Sequence, residues 1–394
     1  MIAIAVSALA SLLAVSPMSQ DPPPRAPPYQ IDSVRFRFTH YEQAGSGYQS
    51  AAGPPGQPGS EAMTIEQPQA EVVARVGDKV TQRIWVPLDV ITAASPDHSR
   101  YGRTADSPPL DGVTTASRVN VSGSFDALTT YRWDQRTAFH FRSDFHLEEP
   151  FESWAFGAGA TRSFADDNTV VGASVNQVVD WFDRFDLAGA RHGRSNRSTT
   201  NANLTVTQLL SPSAIAALSY GGTMQLGTLG NNWNSVLLAD GTRAEERLPR
   251  RRQRHALAVR VAQWLPWNGA AKAGYRAYLD GWGVAAHSIE TDITQRIGRW
   301  ARVRANYRWH HQSAVRFFTT AAGVDDAFRT ADSDLARFAA QTWGGAISFD
   351  VPSQNWSAWT RGWVELHFDI GYERYSRSNR LTADITTCGV GFRF

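Results

Sequence analysis

Apolar and polar side chains trade places along most of this chain with a period of two. That period puts neighbouring side chains on opposite faces of an extended strand. In 361–375, Val364, Leu366, Phe368, Ile370 and Tyr372 form an apolar row. Trp363, Glu365, His367, Asp369, Gly371 and Glu373 form the row behind it. In 299–311, Ala301, Val303, Ala305, Tyr307 and Trp309 oppose Arg302, Arg304, Asn306, Arg308 and His310. In 270–280, Ala271, Ala273, Tyr275, Ala277 and Leu279 oppose Lys272, Gly274, Arg276, Tyr278 and Asp280. Segment 284–297 puts Glu290 and Asp292 on one face, and 254–266 carries Leu257, Val259 and Val261 on one side. Rows this different in character call for two solvents, one of them apolar.

The last segment, 381–394, ends on Phe394. Thr386, Cys388, Val390, Phe392 and Phe394 fall in one row, and Ile385, Thr387, Gly389, Gly391 and Arg393 in the other. Outer-membrane barrels close on such a strand, with the apolar row on lipid and the small or polar row on the lumen. Val390, Phe392 and Phe394 look like the C-terminal signal that the barrel assembly machinery reads. The edge strand of a soluble sandwich is the other reading of this segment alone.

Strands are expected near 31–41, 64–76, 79–92, 118–131, 135–146, 153–163, 168–181, 200–210, 213–226, 254–266, 270–281, 284–297, 299–314, 338–351, 361–374 and 381–394. The expected fold is therefore all-β, a transmembrane antiparallel up-and-down barrel of about sixteen strands. It would have fourteen if 31–41 and 118–131 are not strands. An even count returns both chain ends to the periplasm. Val76-Gly77-Asp78, Ser211-Pro212-Ser213 and Ile297-Gly298-Arg299 read as periplasmic turns. The stretches 42–63, 93–117, 182–199, 227–253 and 315–337 read as exposed extracellular loops, rich in Gly, Asp, Ser, Arg and Pro.

Composition adds limits. No apolar run after residue 20 is long enough for a membrane-spanning helix. A barrel escapes such a test because its lipid-facing residues are interleaved with polar ones. The 14 Trp, 11 Tyr and 19 Phe suit aromatic girdles, and would also suit a large sandwich core. Net charge is +2, with no polybasic footprint for nucleic acid. The single cysteine, Cys388, excludes an internal disulfide and reads as a small lipid-facing side chain. Residues 1–21 read as a secretory signal peptide that lacks a basic start, and 22–30 as a Pro-rich linker. A single barrel domain spans 31–394.

Several short stretches, in this order along the chain, carry a family resemblance. They are Asp-Val-Ile-Thr-Ala-Ala-Ser-Pro at 89–96, Arg-Ser-Phe-Ala-Asp-Asp-Asn-Thr at 162–169 and Thr-Gln-Leu-Leu-Ser-Pro at 207–212. Arg254-His255-Ala256 and Tyr-Arg-Ala-Tyr-Leu-Asp-Gly-Trp-Gly at 275–283 follow. Tyr307-Arg308, Gln312-Ser313-Ala314 and the aromatic final strand complete the set. With these, residues 30–394 resemble a family of bacterial outer-membrane β-barrels catalogued as a domain of unknown function. The resemblance implies architecture and a bacterial outer-membrane location, but no catalytic residue. It also implies periplasmic redox proteins as partners, beside the outer-membrane lipids and the assembly machinery.

Candidate chemistry is sparse. Asp180, Asp183 and Asp186 could offer Ca²⁺ their oxygens, or simply begin a charged loop beside an aromatic girdle. His310 and His311 are adjacent, so in a strand they point apart. His367 shares the face of His310 on another strand, with no third ligand to complete a metal site. Ser288 and His287 also point apart, and Asp97-His98 has no recognisable partner, so an outer-membrane enzyme is the least supported reading. No cofactor motif and no metal site is expected. The better lead is the inward row. Arg276, Arg302, Arg304 and Arg308 offer guanidiniums there, and Asp280, Glu290, Asp292, Glu365, Asp369 and Glu373 offer carboxylates, with His367 among them. Such rows set selectivity in a channel, or pair with each other in a closed barrel. The expectation is a non-enzymatic channel or translocation conduit for small polar solutes. The alternative is a scaffolding barrel that binds a periplasmic or extracellular partner.

Overall fold

The structure is a computed structural model, and it describes residues 29–45, 62–93, 120–149, 151–185, 191–230, 235–351 and 365–394. Its strands are β1 (Tyr29–Ala44), β2 (Met63–Val76), β3 (Val80–Ala93), β4 (Asn120–Arg132), β5 (Thr137–Glu148), β6 (Phe151–Phe164), β7 (Thr169–Phe185), β8 (Arg191–Ser211) and β9 (Ala214–Gly227). Two short strands follow, β10 (Ser235–Leu237) and β11 (Arg243–Glu245). The rest are β12 (Arg251–Leu265), β13 (Gly269–Asp280), β14 (Ala285–Ile297), β15 (Ala301–Gln312), β16 (Phe338–Val351), β17 (Glu365–Arg377) and β18 (Thr382–Arg393).

All strands except β10 and β11 form one closed barrel, in which each pairs antiparallel with its neighbours in sequence. β9 pairs with β12 across the β10–β11 excursion, and β18 pairs with β1. The closing ladder runs from Ser33 opposite Arg393 to Ala44 opposite Thr382. The expected sixteen strands are therefore present. The two weakest in sequence, at 31–41 and 118–131, are β1 and β4.

The alternation sorts as the pattern implied. Phe36 and Phe38 face outward opposite Val390 and Cys388 on the closing ladder. Leu204, Leu218, Leu257, Val259, Tyr275, Ile289, Ile293, Ile347 and Ile370 are exposed on the same outer surface. A contiguous apolar belt of this size fits lipid and not water. Trp133, Trp264, Trp267, Trp300 and Phe394 mark the end of the barrel that holds both strand termini. Trp154 packs edge-on against Trp181 toward the other end, as Trp343 does against Tyr372. Such rings suit the two lipid–water boundaries.

Tight turns close the terminal end. Gly77 and Gly298 each take a left-handed backbone there, where any side chain would add strain. Connection 352–364 lies outside the described residues, and with it Val364 and Trp363 of the expected last-but-one strand. The signal peptide, the Pro-rich linker up to residue 28, and Asp97, His98 and Asp186 lie outside them too.

Two expectations about the far end need correction. Stretch 182–199 is mostly hairpin, not loop. β7 runs to Phe185 and β8 starts at Arg191, and the strands are tied by Asp183–Arg191 at 2.6 Å and Asp180–Arg197 at 2.6 Å. Both faces meet water beyond the lipid, so the alternation fades while the backbone ladder persists. Connections 227–253 and 315–337 are likewise more than exposed polar loops. Their described residues fold together into a cap. β10 pairs with β11, and Arg247 and Arg329 exchange two backbone hydrogen bonds of 2.9 Å. Val236, Leu238 and Ala322 bury one small core, while Trp282, Val284, Val315 and Leu335 bury another. The second core rests on Tyr278 and Ala286, which belong to inward rows. Gln312, also inward, donates to the carbonyls of Asp334 and Ala336 at 2.8 and 2.9 Å. The cap thus sits inside the far mouth, above β13–β17.

Strand packing leaves little tolerance at Gly344. A Cβ there would lie 2.5 Å from the Tyr372 carbonyl oxygen and 3.0 Å from the Glu373 Cα, both backbone. Gly344→Val is expected to destabilise the barrel by roughly 1–3 kcal/mol, the usual range for overpacking. Denaturant unfolding in detergent micelles, followed by tryptophan fluorescence, measures this.

Candidate functional site: the ionic lumen

The inward rows carry the ionisable side chains, and strand register decides which of them meet. Opposite positions on adjacent strands share a face. Glu290 on β14 lies opposite Gly274 on β13 and Arg308 on β15. The absent side chain at Gly274 lets Arg260 of β12 reach over, so Glu290 takes both Arg308 at 3.7 Å and Arg260 at 3.6 Å. One step lower, Asp292 takes Arg304 at 2.5 Å and Lys272 at 3.9 Å. Asn306 donates to Glu373 of β17 at 3.1 Å. These residues line a cavity of about 720 Å³ in the middle of the lumen.

A second group gathers toward the terminal end. Asp350 accepts from Arg302 at 2.8 Å and faces His367 Nδ1 at 2.8 Å. His367 Nε2 lies 3.5 Å from Asp369, and Glu365 pairs with Arg393 at 3.1 Å. Asp369 also pairs with Arg37 of β1 at 3.7 Å, across the intervening strand β18. Gly389 makes that crossing possible, because a Cβ there would lie 2.6 Å from the Asp369 carboxylate. Arg302, Asp350, Glu365 and His367 line a cavity of about 540 Å³.

Asp280 belongs to neither cavity. It faces inward at the far end of β13, and its side chain is fully buried. Oδ2 accepts from Arg252 Nε at 2.8 Å, from a second Arg252 nitrogen and from the Tyr278 hydroxyl at 3.1 Å. Oδ1 accepts the amides of Trp282 and Val284, each at 2.9 Å. Arg252 lies 4.3 Å from the Trp282 ring centroid, and Trp282 Nε1 donates to the Arg251 carbonyl. This carboxylate ties the 281–284 turn to β12 and seats the cap. Arg276 makes no ion pair among the described residues and lies opposite Ser288.

On the opposite wall, Asp126 has no exposed surface and is held by Arg142 and by Arg83 at 3.5 Å. Periodicity placed this carboxylate in a strand but did not single it out. A lone Asp in Gly-Ser-Phe-Asp-Ala-Leu carries no sign of partners from β3 and β5. Farther along this wall Asn176, Asn201 and Asn203 keep the inward row polar but uncharged.

The remaining candidates find ordinary partners. Asp180 accepts from Arg197 and from Ser153 at 2.7 Å, and Asp183 from Arg191. His310 lies beside Ser288 at 2.9 Å, near the far mouth, whereas His367 lies near the terminal end. The His310–Ser288 contact recurs as Ser124–His146 at 2.8 Å and Thr130–His140 at 3.1 Å, so it is part of the wall's bonding. Among the described residues no three His, Cys, Asp or Glu side chains converge as metal ligands.

A closed sixteen-strand barrel with an apolar belt, aromatic boundaries and an ionic lumen is a bacterial outer-membrane β-barrel. The terminal end with its tight turns is then periplasmic, and the capped end extracellular. The chain belongs to the family described as Protein of unknown function (DUF3570), whose profile matches residues 176–381. No curated protein matches it by sequence. Among solved structures it is similar to a bacterial polysaccharide outer membrane secretin, with 8% identity over 92% of this chain and 98% of that one and a TM-score of 0.45. OpdK of Pseudomonas aeruginosa with vanillate has 8% identity, the same coverage and a TM-score of 0.42. A mutant of the ferric enterobactin receptor PfeA from the same species has 9% identity over 87% of this chain and 53% of that one, with a TM-score of 0.44. These similarities bear on shape alone.

Replacing Asp280 by alanine leaves the Arg252 guanidinium, with a tenth of its side chain exposed, without its carboxylate. Breaking such a buried pair costs about 3–5 kcal/mol. Asp280→Asn keeps an acceptor for the turn amides and should lose less. Chemical unfolding of the two variants against the parent checks both the size and the order.

Proposed function

We propose that this protein is a non-enzymatic conduit for small polar and charged solutes, with the Glu290–Asp292 level as its selectivity zone. One observation carries the reading. The ionic side chains at mid-height keep much of their surface in the lumen, with Arg260 69%, Lys272 60% and Arg308 45% exposed. Charges in a plugged or packed interior would be desolvated, at a cost few pairs repay. Here they face solvent space, and sixteen strands enclose a width that porins use as an aqueous channel. Each carboxylate at this level is shared by two cations, so a passing ion exchanges one partner for another and does not meet a bare charge.

The cap supports the same reading, because it constrains the extracellular mouth from inside while leaving the mid-lumen cavity beneath it. Two further elements belong to the proposal: the row of Val390, Phe392 and Phe394 as the segment read by the assembly machinery, and the apolar belt as the lipid contact. A periplasmic redox partner stays an expectation from the family resemblance alone.

Purified protein in a planar bilayer is expected to show discrete single-channel steps, and Arg304→Glu is expected to shift ion preference toward cations while steps persist. Absence of conductance in the parent, together with unchanged solute uptake in cells lacking the protein, would exclude the conduit.

A further inference from the structure

The extracellular half of the β12–β15 wall holds more positive charge than its own acids can balance. Its carboxylates are already committed. Asp280 serves Arg252, the Tyr278 hydroxyl and two turn amides, and outside this wall Asp180 of β7 serves Arg197 and Ser153. Glu290 and Asp292 each answer two cations.

Arg254 and Arg276 remain. Arg254 stands inward on β12, within electrostatic reach of Arg252, Arg197 and Asp280. Its Nε is buried with no hydrogen-bond acceptor, and it makes no ion pair among the described residues. A guanidinium whose donor is out of water and unanswered is costly. Arg276 stands on the next strand, one inward step above the Glu290 level, also without an ion pair among the described residues. The cavity below is lined by four cations and three carboxylates, Glu373 included. With Arg254 and Arg276 above it, cations outnumber carboxylates by three. The surrounding lipid focuses that surplus along the lumen.

We infer that this stretch binds and passes small oxyanions, solutes that carry a carboxylate or phosphate group. Arg254 and Arg276 hold the anion beneath the cap before it meets the Arg260–Glu290–Arg308 level. Guanidiniums suit this role because their planar forks match two oxygens at once. The inference rests on the conduit reading and gives it a substrate class.

The experiment compares the parent with Arg254→Gln/Arg276→Gln and Arg254→Lys/Arg276→Lys. Heat-shifted gel migration establishes that each variant is folded. Reversal potentials across a KCl gradient are expected to show anion preference in the parent. The Gln variant should conduct with that preference reduced toward none, and the Lys variant should retain it. Calorimetric titration with inorganic phosphate and with citrate, on the full chain in detergent, reads the site independently of conduction. Each charge-assisted contact is worth about tenfold, so loss of both should weaken oxyanion binding by more than tenfold in the Gln variant. The two probes separate a phosphate-bearing from a carboxylate-bearing solute.

Cation preference in the parent, or a preference unchanged in the folded Gln variant, overturns the inference while leaving the conduit intact. A parent that does not conduct overturns the conduit. In that case absence of phosphate and citrate binding removes the site as well, whereas binding lost in the Gln variant upholds it.

Discussion

In lipid a backbone amide or carbonyl has no water to turn to, and every other feature of this molecule follows from meeting that demand. A sheet with free edges leaves two rows of unanswered groups, each costing several kcal/mol. The pairing of β1 with β18 removes both edges at once. The backbone is then satisfied strand to strand all the way around, and the side chains are left to face two solvents. This is why the outer row tolerates exposed Leu, Ile and Phe, and why the inner row holds almost all the charge at mid-height.

Closure also determines the lumen's electrostatics. Arg37 and Asp369 stand far apart in sequence and become neighbours only because β1 meets β18, with Gly389 leaving space between them. Elsewhere neighbouring strands bring Arg304 to Asp292 and Arg308 to Glu290. Sharing one carboxylate between two arginine or lysine side chains keeps the wall ordered yet leaves residual positive charge. The cap adds a different physics at one mouth, two small buried apolar cores in a molecule whose inward rows are otherwise mostly polar or charged. Its attachment through Asp280, Arg252 and Trp282 explains why a carboxylate in the inward row ended in a buried turn and not on the lumen surface.

Much of the fold was legible beforehand. A strand with lipid on one side and water on the other must alternate, and β13, β15 and β17 do so over most of their length. Legibility failed where both faces share a solvent. The β7–β8 hairpin continues past the lipid, so 182–199 carries polar residues on either side and looks like a loop. It failed again for the cap, whose apolar residues Val236, Trp282, Val315 and Leu335 come from separate connections and make no local period. Within the candidate site, the inward placement of Arg304, Arg308, Glu290, Asp292 and Glu373 was readable, and their sharing of one cavity was not. Asp126 escaped notice because its partners arrive from β3 and β5.

The sequence by itself determined that this chain is a membrane barrel of about sixteen strands and which side chains face inward, because a two-residue period depends only on immediate neighbours. Register, closure and loop packing decided the rest. They chose which arginine meets which carboxylate, enclosed Asp280, and left Arg254 and Arg276 without an acid. Those outcomes depend on distances between residues remote along the chain, which no local pattern encodes.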